Sequence, residues 1–169
     1  MPVTTGTAKV TLPSDEQILI TREFDAPKHL VYRAWTTPEL VQLWWAGHRG
    51  KMRSVEIDLQ VGGRWRYVMD ANGGFEVAFH GEYREIVPDE RLVHTEVFEM
   101  PDAGIGPESE EGVLDIVTFT EVDGRTTLTL LTETGSRELR DTILESGMEG
   151  GMQEQMDVLE QLAVSLRDG

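Results

Sequence analysis

His29, His48, His80 and His94 are the residues of this sequence best suited to move a proton near neutral pH. His94 stands two positions before Glu96, and His80 two before Glu82. On a strand each pair shares a face, the arrangement a His–carboxylate couple for proton transfer requires, although a surface cross-strand pair has the same spacing. No two histidines fall at i, i+4 on a helix and no His-Glu-x-x-His run occurs, so no metal site is expected. There is no cysteine, which excludes disulfides, thiolate catalysis and thiolate-bound metals. A Gly-x-Ser-x-Gly elbow, a phosphate-cradling glycine loop followed by Lys and a dinucleotide fingerprint are all missing. No catalytic set is therefore assigned, and no cofactor is expected.

The second chemistry on offer is apolar recognition. Trp65, Tyr67 and Met69 alternate, as do Phe79 and Tyr83 (with Gly81 between), and Phe98 continues the His94 and Glu96 face. Which faces turn inward is left open, because one bulge reverses every face beyond it. Met148, Met152, Met156 and Leu159 recur at helical spacing. Methionine is flexible and polarisable, so this stripe either adapts to a ligand or plugs a core. Trp44 and Trp45 point in different directions on a helix: Trp44 continues the Leu40 face and reads as core, leaving Trp45 for a pocket.

The elements that must position these residues follow from period and punctuation. Residues 1–15 mix Thr, Gly, Pro and Ser and read as a mobile arm, with a single domain over 16–169. Gln17 to Phe24 alternates as a strand and stops at Asp25-Ala-Pro27. Pro27 and Thr37-Pro38 each open a short helix, the second with Thr37 as its cap. Val55, Ile57, Leu59 and Val61 alternate up to Gly62-Gly63, and the strand returns through Trp65. Further strands span 75–87, 92–99, 114–122 and 126–134, the last two joined by the hairpin signal Asp123-Gly124. Residues 100–112 form the one long loop, bordering a site or disordered. From Ser136 the period is helical, with Gly147, Gly150 and Gly151 marking a kink or ragged start.

With 169 residues, the chain can bury about two-thirds of its unfolded surface in one core. Thirty-one acidic against fifteen basic residues give a formal charge of −16, which repels phosphate backbones and anionic lipid headgroups. Nucleic acid and membrane are not expected as partners. The absence of a signal-peptide pattern and of a spanning stretch leads us to expect a cytoplasmic protein.

The order strand, two short helices, six-stranded meander and long C-terminal helix resembles the helix-grip fold of the START and Bet v 1-like (SRPBCC) superfamily. Local runs narrow the likeness: Phe24-Asp25-Ala26-Pro27 with Val31 and Ala34-Trp35; Leu43-Trp44-Trp45; Val61-Gly62-Gly63; Gly81-Glu82-Tyr83 running on to Ile86-Val87-Pro88-Asp89-Glu90-Arg91-Leu92-Val93; Asp123-Gly124; and Gly151-Met152 through Met156-Asp157. These resemble the single-domain family related to the C-terminal domain of the activator of the Hsp90 ATPase, although that family usually carries Trp where Met152 stands. The resemblance implies an α+β fold of about seven antiparallel strands curved around the C-terminal helix, with an apolar cavity between them. It implies a small hydrophobic or aromatic ligand first, and a polyketide cyclase-like enzyme second. Action on Hsp90 is placed last, since it rests on the family name alone. Cavity candidates are Trp45, Trp65, Tyr67, Met69, Phe79, Tyr83, His94, Glu96, Phe98, Met148, Met152, Met156 and Leu159. Exposed sheet edges or the 100–112 loop would allow a homodimer, which no motif demonstrates.

Overall fold

The computed structural model describes residues 8–106 and 112–169. Among these residues one antiparallel sheet carries eight strands: β1 (Lys9–Thr11), β2 (Gln17–Phe24), β3 (Gly50–Ile57), β4 (Arg64–Ala71), β5 (Phe75–Val87), β6 (Arg91–Glu99), β7 (Gly112–Val122) and β8 (Arg125–Glu133). Their order across the sheet is β1-β2-β8-β7-β6-β5-β4-β3. The six consecutive strands β3 to β8 form the expected meander, and β2 joins its β8 edge in register from Gln17 opposite Glu133 to Phe24 opposite Thr126. Among the described residues four α-helices complete the fold: α1 (Lys28–Thr36), α2 (Pro38–Trp44), α3 (Arg137–Glu145) and α4 (Met148–Asp168). This is the helix-grip arrangement, with α4 packed against α1, α2 and β2.

Local chemistry explains most boundaries. The Pro27 carbonyl accepts from the amides of Leu30 and Val31 to start α1. Thr37 opens α2 as expected, but through its backbone carbonyl, which accepts from Leu40 and Val41; its hydroxyl makes no cap bond. The Asp123-Gly124 turn has both residues at positive φ, 53° and 77°, as a type I′ hairpin demands. Val117, Phe119, Leu128, Ile18, Ile20 and Phe24 pack with Leu159 and Ala163 of α4 and with Val31, Ala34, Trp35 and Trp44 of the short helices in one buried cluster.

Two expectations are corrected, and the kink expected near Gly147 is found as a break. Within the stretch read as an arm, residues 9–11 pair with β2, Lys9 opposite Thr21 and Thr11 opposite Leu19, which supplies the eighth strand; residues 1–7 lie outside the described residues. The alternation through Leu59 and Val61 does not continue β3, which ends at Ile57. Asp58–Gly63 folds into a turn tied to β5 by the pairs Gly62 N–Tyr83 O and Tyr83 N–Gly63 O, and Val61 is left 67% exposed. The C-terminal helix is two helices. Ser146 closes α3, and Gly147 at φ +83° takes a left-handed turn that L side chains resist, so α4 starts afresh at Met148.

In the long loop, Pro101–Ala103 makes one 3-10 turn and Met100 bridges to Ile105; residues 107–111 lie outside the described residues. No helix among the described residues is long and apolar enough to cross a membrane.

Candidate functional site

Strand register settles which faces turn toward α4. Trp65 lies opposite Ile57 and Gly81, Tyr67 opposite Val55 and Phe79, and Met69 opposite Met52 and Val77. Phe79 pairs with Phe98, Tyr83 with His94, and His94 with Asp115. The β5 ladder slips by one residue between Tyr83 and Glu85, the kind of bulge that made the faces unreadable from the sequence. The inner face of β4 to β6 thus gathers Trp65, Tyr67, Met69, Phe79, Tyr83, His94, Glu96 and Phe98, all of the strand residues expected to line a pocket.

The aromatic rings interlock. Trp65 and Tyr67 have centroids 4.7 Å apart, Trp45 reaches Tyr67 at 4.9 Å and Phe79 at 5.9 Å, and Phe79 meets Phe98 at 5.4 Å. Trp44 instead packs on Trp35 at 4.9 Å and donates its indole N–H to the Ala34 carbonyl, a core position as its helical phase indicated. Trp65, Tyr67, Tyr83, Met152, Met156 and Leu159 are buried and belong to the central cluster; Trp45, Phe79 and Met148 pack against it partly exposed, and Phe98 at 39% exposure marks the rim. Met156 lies in the core and Met148 stands partly exposed at its edge.

Within this apolar surface sits a polar cluster. His94, 7% exposed, is flanked edge-on by Trp65 at 5.3 Å and Tyr83 at 5.9 Å. Its Nδ1 lies 3.2 Å from the Thr95 carbonyl and 4.0 Å from Asp115 Oδ2, while Asp115 Oδ1 accepts from the Thr132 hydroxyl at 2.8 Å. Desolvation first, then the nearby Asp115 charge and a hydrogen bond to Asp115, push the Glu96 carboxyl well above its ordinary range. Burial likewise drives Tyr67 upward and Tyr83 beyond the ordinary phenol range. This is an environment that keeps protons on oxygen.

Sequence reasoning paired His94 with Glu96 directly. The structure also brings in Asp115 of β7, opposite His94, a partner one strand away that spacing along β6 could not reveal. The His80 and Glu82 couple is not formed. His80 lies on the outer face, with Nδ1 2.6 Å from Glu99, and Glu82 pairs with Arg84. Glu99 also takes a two-pronged bond from Arg66 at 2.8 and 3.1 Å.

The N-terminal half of α4 roofs the aromatic face. The Gln153 side chain exchanges two hydrogen bonds with the Ala8 backbone, at 2.9 and 2.8 Å. Glu154 takes the Arg49 guanidinium, and Gln155 donates to the Trp45 carbonyl. Further along, Arg22 of β2, buried beneath α4, holds Glu160 at 2.9 Å and Asp157 at 3.0 Å, and Glu160 accepts from the Asp25 amide. A separate groove of about 560 Å³ opens among Ser14, Asp15, Glu16, Gln17, Glu133 and Gly135; it is a polar surface feature away from the aromatic face. Among the described residues no group of three or more His, Asp or Glu is placed to hold a metal ion.

No curated protein matches the chain. Solved structures do. A Rhodobacter sphaeroides protein superposes with a TM-score of 0.83 at 22% identity, covering 97% of this chain and 100% of that one. A Nitrosomonas europaea protein gives 0.81 at 21% identity, over 94% and 100%. A Mycobacterium smegmatis protein gives 0.78 at 23%, over 95% and 97%. At such identities these neighbours speak to the fold. Residues 25–163 match the model of the family described as activator of Hsp90 ATPase homolog 1-like protein, and that span runs from the end of β2 into the last turns of α4. The chain belongs to the activator of Hsp90 ATPase homolog 1-like family, with the helix-grip fold of the SRPBCC superfamily.

Proposed function

We propose that this protein binds a small hydrophobic, aromatic-bearing molecule between the inner face of β4 to β6 and the N-terminal half of α4. The observation that carries this reading is the polar cluster of His94, Glu96, Asp115, Tyr67 and Tyr83 set into an otherwise aromatic and methionine-lined surface. A filled core has no use for two adjacent carboxyls under a helix, since burying them costs free energy that apolar side chains would not. A ligand site, by contrast, is mostly apolar with a few polar groups that orient the guest. The test is titration with Nile red, an uncharged dye that brightens in apolar surroundings. Saturable brightening in the native protein, lost when Met152→Trp adds bulk to the face of α4 that meets the aromatic strands, supports the reading; no brightening, or equal brightening in the variant, refutes it.

A second reading is favoured by one observation: His94, Glu96 and Tyr83 share the inner face, where a polyketide cyclase-like enzyme would need its proton-moving groups. Its test is exchange of the acidic C–H hydrogens of a bound aromatic ketone for deuterium. Exchange faster than in buffer and slowed by His94→Asn supports catalysis, and exchange at the buffer rate removes it. Action on Hsp90 draws on the family description alone and ranks behind both.

A further inference from the structure

β3 closes one end of the sheet and β1 the other, so each has one side on which no strand lies among the described residues. A free edge offers backbone N–H and C=O groups to any extended chain. β1 is only three residues long, whereas β3 runs for eight, from Gly50 to Ile57. The ladder from β3 to β4 slips at Arg53, between Met52 opposite Met69 and Ser54 opposite Val68. Gly50, Met52, Val55 and Ile57 therefore face inward, opposite Ala71, Met69, Tyr67 and Trp65. Lys51, Ser54 and Glu56 face outward, opposite Asp70, Val68 and Arg66. Arg53 is outward too, since it pairs with Asp70 and Glu76. From either end the strand thus presents the same order of faces: in, out, in, out, out, in, out, in.

The charges share that symmetry. Asp70, the acid opposite Lys51, is taken by Arg53, and Arg66, the cation opposite Glu56, gives its guanidinium to Glu99. Lys51 and Glu56 are left exposed at the free edge, with no ion pair among the described residues. We propose that two copies of this chain join edge to edge through β3, antiparallel about a two-fold axis between Arg53 and Ser54. In that register Lys51 of each copy lies opposite Glu56 of the other, Met52 opposite Val55 and Gly50 opposite Ile57, every pair on matching faces. A strand without the doubled outward position would run out of phase on one side of the slip, so a second β3 is the partner that fits along the whole edge. The two Arg53 side chains near the axis are each already neutralised within their own chain. The paired charges work against the general repulsion between two chains of −16.

The experiment is sedimentation velocity of the full chain over about a hundredfold range of concentration. The expected result is a species of twice the 19.0 kDa chain mass that grows with concentration. Lys51→Glu and Glu56→Lys, each checked for unchanged folding by circular dichroism, should each weaken the dimer about tenfold, because either one sets like charges opposite each other at both symmetric contacts. Lys51→Glu combined with Glu56→Lys should restore it, since the pairs re-form in the reversed sense. A chain that stays monomeric throughout overturns the proposal and leaves the edge to a strand of another protein. A dimer that either single variant leaves intact, or that the combined variant does not recover, lies on another face and overturns it equally.

Discussion

Trp65 lies directly across from Gly81, and its indole nitrogen stands 2.6 Å from where a Cβ on residue 81 would be. The same Cβ would come within 1.8 Å of the Thr95 carbonyl oxygen. Gly81 is therefore the floor on which the first ring of the aromatic face rests, and the indole N–H, buried over this backbone, has no hydrogen-bond partner among the described residues. Aromatic cover of a strand glycine restores the packing that the missing side chain gives up.

Gly81→Ala should accordingly destabilise the fold by about 1–3 kcal/mol, the usual range for overpacking a core, and displace Trp65. Urea unfolding followed by tryptophan fluorescence reads both effects. A variant as stable as the parent would show that β5 and β6 can part at no cost.

Arg22→Leu removes the cation that holds Glu160 and Asp157 beneath α4. A buried Glu160 left without its guanidinium should cost about 3–5 kcal/mol in urea midpoint experiments. Adding Glu160→Leu should recover part of that loss, because the stranded charge is then gone. Additive losses would mean that each side chain acts by packing alone.

Glu96→Gln probes the raised carboxyl. The folded-state pKa of Glu96 is raised, so its contribution to stability is most favourable below its ordinary value of 4.5 and declines as pH rises toward the folded value. The amide keeps a donor toward Asp115 and carries no proton to lose. The variant should match the parent in acid and exceed it in stability at neutral pH, and thermal unfolding across that range measures the difference. A variant less stable than the parent at neutral pH would contradict the raised pKa.

Glu99→Gln has the opposite sign. The hydrogen bond from Arg66 first, then that from His80, hold the Glu99 carboxyl below its ordinary 4.5 against the opposing effect of burial. Its stabilisation is present above 4.5 and fades as pH falls through the lowered value. The variant should be less stable than the parent at neutral pH, with the gap closing in strong acid. A gap independent of pH would assign the loss to packing.

The fold was legible wherever one signal fixed one element. Gln17–Phe24 and Phe75–Val87 have the bounds their alternation indicates, and Asp123-Gly124 names its turn through the two positive φ values it needs. The pattern misled where it outran hydrogen bonding: Leu59 and Val61 keep period two but sit in a turn whose amides bond locally and to β5. Lys9–Thr11 gave no sign of a strand, because three residues are too few for a period and pairing with β2 is a tertiary event. In the site, the aromatic and methionine residues were readable because strand and helix periods place them on common faces. Asp115 was not, since its role depends on register across β6 and β7, and Arg22 was not, since its carboxylate partners lie more than 130 residues away.

The most direct test of the central claim is native mass spectrometry of the purified protein, followed by denaturation and identification of whatever is released. The account predicts a stoichiometric small molecule that is aromatic, uncharged near neutral pH and released only on unfolding, with occupancy reduced in Met152→Trp. A bare chain mass, together with no uptake of Nile red, would contradict it and would assign the inner face of β4 to β6 to the core alone.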